Sequence, residues 1–360
     1  MVKIRNFIVE LKRDRVEIRI GERKFQWTIE PRFWRNPILG GLFLSLLPII
    51  CHLFSPAFLP VITNANIYSS IGISMILITL GAGRLNFGPQ LFIGLGGYIT
   101  ALLTSRYSVI YAGLSPLQTL PIIIIICGLV GIAEGVIALF RRGIYYALLT
   151  LLPPLIFLEV TYIWADIFKG EVGLAAIPPI IDTGSSRINM LAYSYLSLAM
   201  VLIFLFIGHR IMDSRLGIQM AAITDDDEAA QIFGVNLKFA KLLISAIGGA
   251  LMGVCGWFNA HYFGTFAGIT YLTFFYMMKV WLIFFVGGRA IFAGIIGGYF
   301  VGFLDSVLMR LTAAYRMELL QPALYLCILL VIMNVLGYDG LWGMYRKRRY
   351  REYRARLKLR

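Results

Sequence analysis

Apolar residues run through this chain in blocks of roughly 20, long enough for a helix to cross the hydrocarbon core of a bilayer, where a helix satisfies all of its own backbone hydrogen bonds. The blocks predict ten spans, at 38–58, 67–83, 87–105, 117–140, 143–165, 190–209, 238–260, 267–287, 290–311 and 319–337. They define an all-α, polytopic membrane protein. A spanning domain, 37–337, follows an amino-terminal segment, 1–36, and precedes a tail, 338–360.

Two departures from the apolar pattern stand out early. In "RVEIRIGERKFQWTIE", Val16, Ile18 and Ile20, then Phe25, Trp27 and Ile29, alternate with polar neighbours around Gly21, which predicts a β-hairpin. It would serve as a contact surface or as an interfacial anchor for the first helix. In "GAGRLNFGPQLFIGLGGYITALL", 81–103, polar residues, Gly and Pro break what would otherwise be a continuous helix. Such a break lines a translocation path or forms a tight turn between two spans.

Glycines four apart, Gly131 with Gly135, Gly249 with Gly253, and Gly294 with Gly298 and Gly302, predict close helix packing. "GLGGYITALL" at 94–103 and "GIIGGYFVGFL" at 294–304 echo each other, as a parallel duplication would.

Charge orients the bundle. Residues 1–36 hold ten Lys/Arg against five acids, and 338–360 hold nine against Asp339 and Glu352, so both ends are expected on the cytoplasmic side of the cell membrane. An even number of spans follows. No signal peptide is evident, since the charged start is followed by an apolar run without a cleavage site. The net charge of +14 sits beside spans and matches topology and anionic lipid headgroups of the bilayer, not nucleic acid. Cys51, Cys127, Cys255 and Cys327 fall inside spans without close pairing, and His52, His209 and His261 lie far apart, so neither a metal site nor a catalytic constellation is expected. No G-x-x-x-x-G-K-[ST] loop is present, so no ATP site of that kind is expected either.

The longest polar interruption between spans holds "TDDDEAAQIFGVN", 224–236, with four consecutive acids in a chain that has 19. It predicts a short helix: Thr224 as cap with Asp227 closing a capping box, acids in the first turn, and Gly234 as the left-handed stop. Roughly nine residues at 1.5 Å each make a rod near 14 Å, too short to cross a membrane. Its Ala229, Ala230 and Phe233 face suits a groove on another protein, or is simply a solvated loop helix.

Ionisable groups inside spans usually pair or line water. Glu134 and Lys279 lie at similar distances from the inner boundary, roughly 10 and 12 Å, which predicts an ion pair that holds two spans together or gates a path. Glu159 and Asp305 fall nearer the outer side, facing a vestibule or accepting local hydrogen bonds. Asn86, Gln90, Asn259 and Asp305 are candidate path residues. Interhelical hydrogen bonding accounts for the polar ones equally well.

"EAAQIFGVN" followed by "LKFAKLLISAIGGALMGVCGWFNAHYFG" resembles the coupling segment and next span of permease subunits of ATP-binding-cassette importers for branched-chain amino acids. "LNFGPQLFIGLGGYITALL", "RRGIYYALLTLL", "GGRAIFAGIIGGYFVGFL" and "GLWG" agree in order, over most of 80–343. The resemblance implies a cytoplasmic coupling helix, Asp226, Asp227, Glu228, Ala229, Ala230, Phe233 and Gly234, docking on ATPase subunits that use the ATP. It also implies a homologous second permease and an extracytoplasmic substrate-binding protein. Asp225, Asp226 and Asp227 make this copy unusually acidic, which would match a basic groove on the ATPase. Pro89, Pro153, Pro154, Ala290, Ile291 and Ile295 depart from the family's pattern near the path. The alternative is a self-contained transporter in which Glu159 or Asp305 couples ion entry to uptake.

Overall fold

A computed structural model of the chain describes residues 2–4, 7–12, 15–20, 23–27, 46–53, 55–141, 143–315, 320–336 and 340–341. Two compact units divide it, Met1–Pro56 and Ala57–Arg360.

The first unit is an antiparallel meander of β1 (Val2–Ile4), β2 (Phe7–Lys12), β3 (Arg15–Ile20) and β4 (Arg23–Trp27), in that spatial order. β3 and β4 occupy the alternating segment, with Val16 opposite Trp27 and Ile18 opposite Phe25. β1 and β2 extend the sheet beyond the two strands expected. A helical stretch covers 46–53. Residues 38–45 of the first expected span lie outside the described residues, as does 342–360 of the tail.

The second unit holds α1 (Leu59–Ala82), α2 (Pro89–Thr104), α3 (Pro116–Phe140), α4 (Ile144–Ile163) and α5 (Ser186–Met212). Two short helices follow, α6 (Arg215–Asp225) and α7 (Asp227–Ile232). Then come α8 (Leu237–Phe263), α9 (Phe274–Gly287), α10 (Ala293–Tyr315) and α11 (Leu320–Leu336). Among the described residues, seven helical segments are long and apolar enough to cross a membrane, α9 being counted from Gly268 with the short helix Gly268–Tyr271 before it, and the apolar α2 and α11 are shorter. The chain is therefore a multi-pass, all-α membrane protein in this unit.

α1 begins eight residues before the span expected from residue 67. Its polar first turns are absorbed by α5: Thr63 Oγ1 meets Ser194 Oγ at 2.9 Å, and Asn66 Nδ2 donates to Ser197 Oγ at 3.0 Å. Paired hydroxyls and amides remain helical at membrane depth, where unpaired ones would not. Pro153 and Pro154, which depart from the family's pattern, lie inside the continuous α4. Spanning helices tolerate proline when neighbouring groups absorb the freed carbonyls.

α1 is the enclosed helix, buried on nearly all sides, whereas α3 and α4 present bare apolar residues such as Ile125, Leu129, Phe140 and Ile156 outward. The glycine rows explain the close contacts. A methyl group on Gly298 would overlap Ser69 of α1, and one on Gly302 would overlap Ala65. Gly131 and Gly135 give α3 the same approach to Ser245 and Leu242 of α8.

Candidate functional site

α6 and α7 meet at an elbow. Ser214 caps α6 by accepting the Leu216 N–H at 3.2 Å, and Met220 and Ile223 bury its apolar face, placing it against α1. Thr224 therefore sits in a last turn, where its hydroxyl donates to the carbonyls of Met220 (2.8 Å) and Leu80 (3.3 Å). It does not cap the next helix, contrary to expectation, because the preceding segment is itself helical.

The cap is Asp226, whose extended backbone breaks the two helices apart. Its Oδ1 accepts the N–H groups of Glu228 (2.8 Å) and Ala229 (3.1 Å), satisfying donors that a helix start leaves open. α7 then runs six residues, about 9 Å, shorter than expected. It ends at Gly234, at φ +84°, where the Val235 N–H returns to the Ala230 carbonyl at 3.0 Å. That closure needs a left-handed residue, which glycine adopts without a Cβ penalty.

The faces of α7 differ from the expected arrangement. Ala230 is buried in a small core with Ile223 and Ala240, so it faces its own chain. Ile232 and Phe233 are 84% and 86% exposed and form the apolar tip. Ala229 is half-buried, while Glu228 and Gly234 are exposed.

Asp227 also points inward rather than toward a partner. Its Oδ2 accepts Arg84 Nη2 and Lys241 Nζ, the latter at 2.8 Å. Arg84 Nη1 donates to the Ala138 (2.8 Å) and Arg141 (2.6 Å) carbonyls, and Lys241 Nζ reaches Ala138 at 3.3 Å. These are the orphan carbonyls at the carboxyl end of α3, where cations complement the helix dipole. One carboxylate thus ties α7 to α8, to the end of α3 and to the loop after α1. An open cleft of about 420 Å³, lined by Gly83, Arg84 and Thr224 through Glu228, lies alongside.

That loop, 83–88, is the predicted break. It is a connection between α1 and α2, yet it is not a solvated turn, since Asn86 and Gln90 are fully buried. Asn86 Nδ2 donates to Glu134 Oε1 at 2.8 Å, its Oδ1 accepts the Gly88 N–H at 2.7 Å, and the Phe87 N–H donates to Thr150 Oγ1 at 3.0 Å. Among the described residues, neither polar atom of the Gln90 side chain has a partner, nor does Glu134 Oε2.

Glu134 does not pair with Lys279. Lys279 Nζ donates to Asp305 Oδ1 at 2.7 Å and lies over the Phe275 ring, 4.7 Å from its centre. Asp305 also accepts from Tyr68 (2.9 Å), Tyr325 (2.9 Å) and Gln321 (3.2 Å), so α1, α9, α10 and α11 meet at one carboxylate. The expected match compared backbone depths alone. Asp305 lies roughly 18 Å along α10 from its start and Lys279 roughly 12 Å from the end of α9, and a lysine side chain spans that difference.

Asn259 satisfies itself within α8, donating to the Cys255 carbonyl at 2.9 Å. Glu159 is exposed on the surface of α4. The four candidate path residues are thus dispersed: Asn86 beside Glu134, Asp305 in its own node, Asn259 turned to its helix, and Gln90 buried in the first turn of α2.

At the opposite end of α5 from the elbow, a cavity of about 670 Å³ is lined by Pro60, Asp182, Asn189, Tyr193, Tyr262 and Phe263, among others. The Gly184 N–H and Asn189 hold the Asp182 carboxyl below its ordinary pKa by hydrogen bonding to its charged form. Among the described residues, no group of His, Cys, Asp and Glu is placed to hold a metal.

Sequence reasoning missed Arg84, Lys241, Tyr68, Gln321 and Tyr325. Arg84 left a signal, an arginine inside a glycine-rich helix break. The tyrosines left none, because an aromatic in a span reads as packing.

A polytopic helical bundle with broken Gly-rich spans and an apolar-tipped short helix between two of them has the character of a membrane transport protein. Residues 57–336 match the protein-family model described as "Branched-chain amino acid transport system / permease component", and the chain belongs to that family. No curated protein and no solved structure matches the chain.

Proposed function

We propose that this chain is the membrane-spanning subunit of an ATP-binding-cassette importer that moves branched-chain amino acids, or a similar small polar solute, across the cytoplasmic membrane. Family membership supports transport by a permease component. The single observation that carries the ATPase coupling is the elbow: a short helix whose Ile232 and Phe233 tip is bare while its Asp227 is clamped into the bundle. An apolar tip on a polar loop suits a groove on a cytoplasmic ATPase, and a clamped root passes force inward. Both termini and the elbow then lie on the cytoplasmic side, with the Asp182 cavity facing the extracytoplasmic binding protein. A homologous second permease completes the path, and ATP is bound and hydrolysed by the ATPase subunits.

The ion-coupled alternative loses its best residue. Asp305, which would have to exchange ions, is held by Lys279 and three neutral donors.

Co-purification from native membranes followed by reconstitution tests the proposal. ATP-driven uptake of leucine, isoleucine or valine is expected, with urea and short amides as comparison solutes. Phe233→Asp is expected to release the ATPase subunits while leaving the permease folded. Full ion-driven flux through the purified chain alone would overturn the proposal.

A further inference from the structure

We propose that residues 83–88 form a strap through which α7 moves the first turn of α2, with Asp227 and Arg84 as the positioning residues that make the connection. The inference rests on the reading of α7 as the ATPase contact and specifies what that contact moves.

Three observations carry it. First, the strap is gripped at both ends by different elements. Arg84 is bound to Asp227 of α7, and two residues on, Asn86 and Phe87 are bound to Glu134 of α3 and Thr150 of α4. Any displacement of α7 therefore arrives at a group buried among the spans within three residues of chain. Second, the strap is the softer of the two elements that Asp227 holds. Lys241, the other cation, belongs to the 27-residue α8, which is locked to α2 and α3 through close glycine contacts at Gly249, Gly253 and Gly256. The strap is six residues of non-helical backbone between two helix ends, and such terminal segments absorb the dihedral changes of hinge motion. Third, the strap leads straight into Pro89 and Gln90, and Gln90 is a fully buried amide with, among the described residues, no partner for either polar atom. A buried group left unpaired is costly in this arrangement and has its hydrogen bonds to gain in another.

The geometry also separates Arg84 from a simple brace. Its second nitrogen holds the Ala138 and Arg141 carbonyls, so the strap keeps one fixed attachment to the end of α3. Moving Asp227 turns the strap about that point. Gly83 permits the tight start: its φ is +66°, and a Cβ there would stand 2.9 Å from the Ile223 carbonyl oxygen of α6.

The test uses the whole assembly with its ATPase and binding protein in liposomes, and it reads the strap without reference to cargo. Leu85, half-buried in the strap, is replaced by cysteine in a background carrying Cys51→Ser and Cys327→Ser, leaving only the buried Cys127 and Cys255. Labelling of Leu85→Cys by a water-soluble maleimide is timed without nucleotide and with Mg-ATP plus vanadate. A rate change of about fivefold or more is expected between the two states. Adding Asp227→Asn is expected to abolish the change in complexes that retain the ATPase subunits. Asp227→Glu, which keeps the charge, is expected to restore at least half of it. If Asp227→Asn does not assemble, Arg84→Lys decides the question, because a single ammonium cannot replace the two guanidinium nitrogens at all three acceptors. It is expected to cut the nucleotide-dependent change by about half or more.

The inference is overturned if Leu85→Cys labels at the same rate in both states, or if every assembling variant keeps the full change. Retention of the ATPase by Phe233→Asp would instead defeat the underlying reading of α7, so the two failures are distinguishable.

Discussion

The bundle holds two carboxylates that each gather donors from distant segments, and they are built differently. Asp305 is enclosed, accepts four hydrogen bonds on its two oxygens, and joins four helices. Asp227, its side chain 13% exposed against 10% for Asp305, sits at an elbow between two short helices, takes both its cations on one oxygen, and among the described residues leaves Oδ1 without a partner. A saturated buried network rigidifies what it joins, whereas a partly satisfied one has alternatives close in energy. The first node suits a fixed frame. The second suits a joint that transmits motion.

The largest effect that would test this contrast is Asp305→Ala. It strands Lys279 among apolar and aromatic neighbours and is expected to cost about 3–5 kcal/mol, read as a loss of folded yield or as early unfolding in detergent. Asp227→Ala is expected to cost less, about 1–3 kcal/mol, since Arg84, which has partial access to water, and the buried Lys241 both keep carbonyl acceptors at the end of α3. Equal losses at the two sites would break the comparison. The smallest shift is expected for the pair Lys279→Met with Asp305→Leu, which removes both charges together. It should lie within about 1.5 kcal/mol of the parent, as buried pairs replaced by apolar residues of similar size often do. A double variant as damaged as Asp305→Ala would show that the tyrosine and glutamine bonds, not the ion pair, hold that frame.

Much of the membrane unit was legible beforehand. Apolar blocks marked the long helices, because hydrogen-bond satisfaction in lipid is a property of each segment by itself. The glycine rows marked close-packing faces on α3, α8 and α10 for the same local reason, but not the helices they meet. The beginning of α1 was not legible, since Thr63 and Asn66 read as loop until Ser194 and Ser197 supply their partners. At the elbow, Gly234 was read correctly as the stop and Thr224 wrongly as the cap. A capping residue is recognised by what precedes it, and the helix before it, α6, owes its place to Met220 and Ile223 packing on α1.

Composition and order along the chain determined that this is a multi-pass helical membrane protein with basic flanks and a short acidic helix between two spans. Only the folded arrangement decided which charges meet. Lys279 found Asp305 instead of Glu134, and Asp227 turned inward to Arg84 and Lys241 instead of outward. The reason is geometric: burying a segment depends on its own residues, while pairing depends on the rotation, tilt and side-chain reach of two helices that the chain specifies separately and only packing brings together.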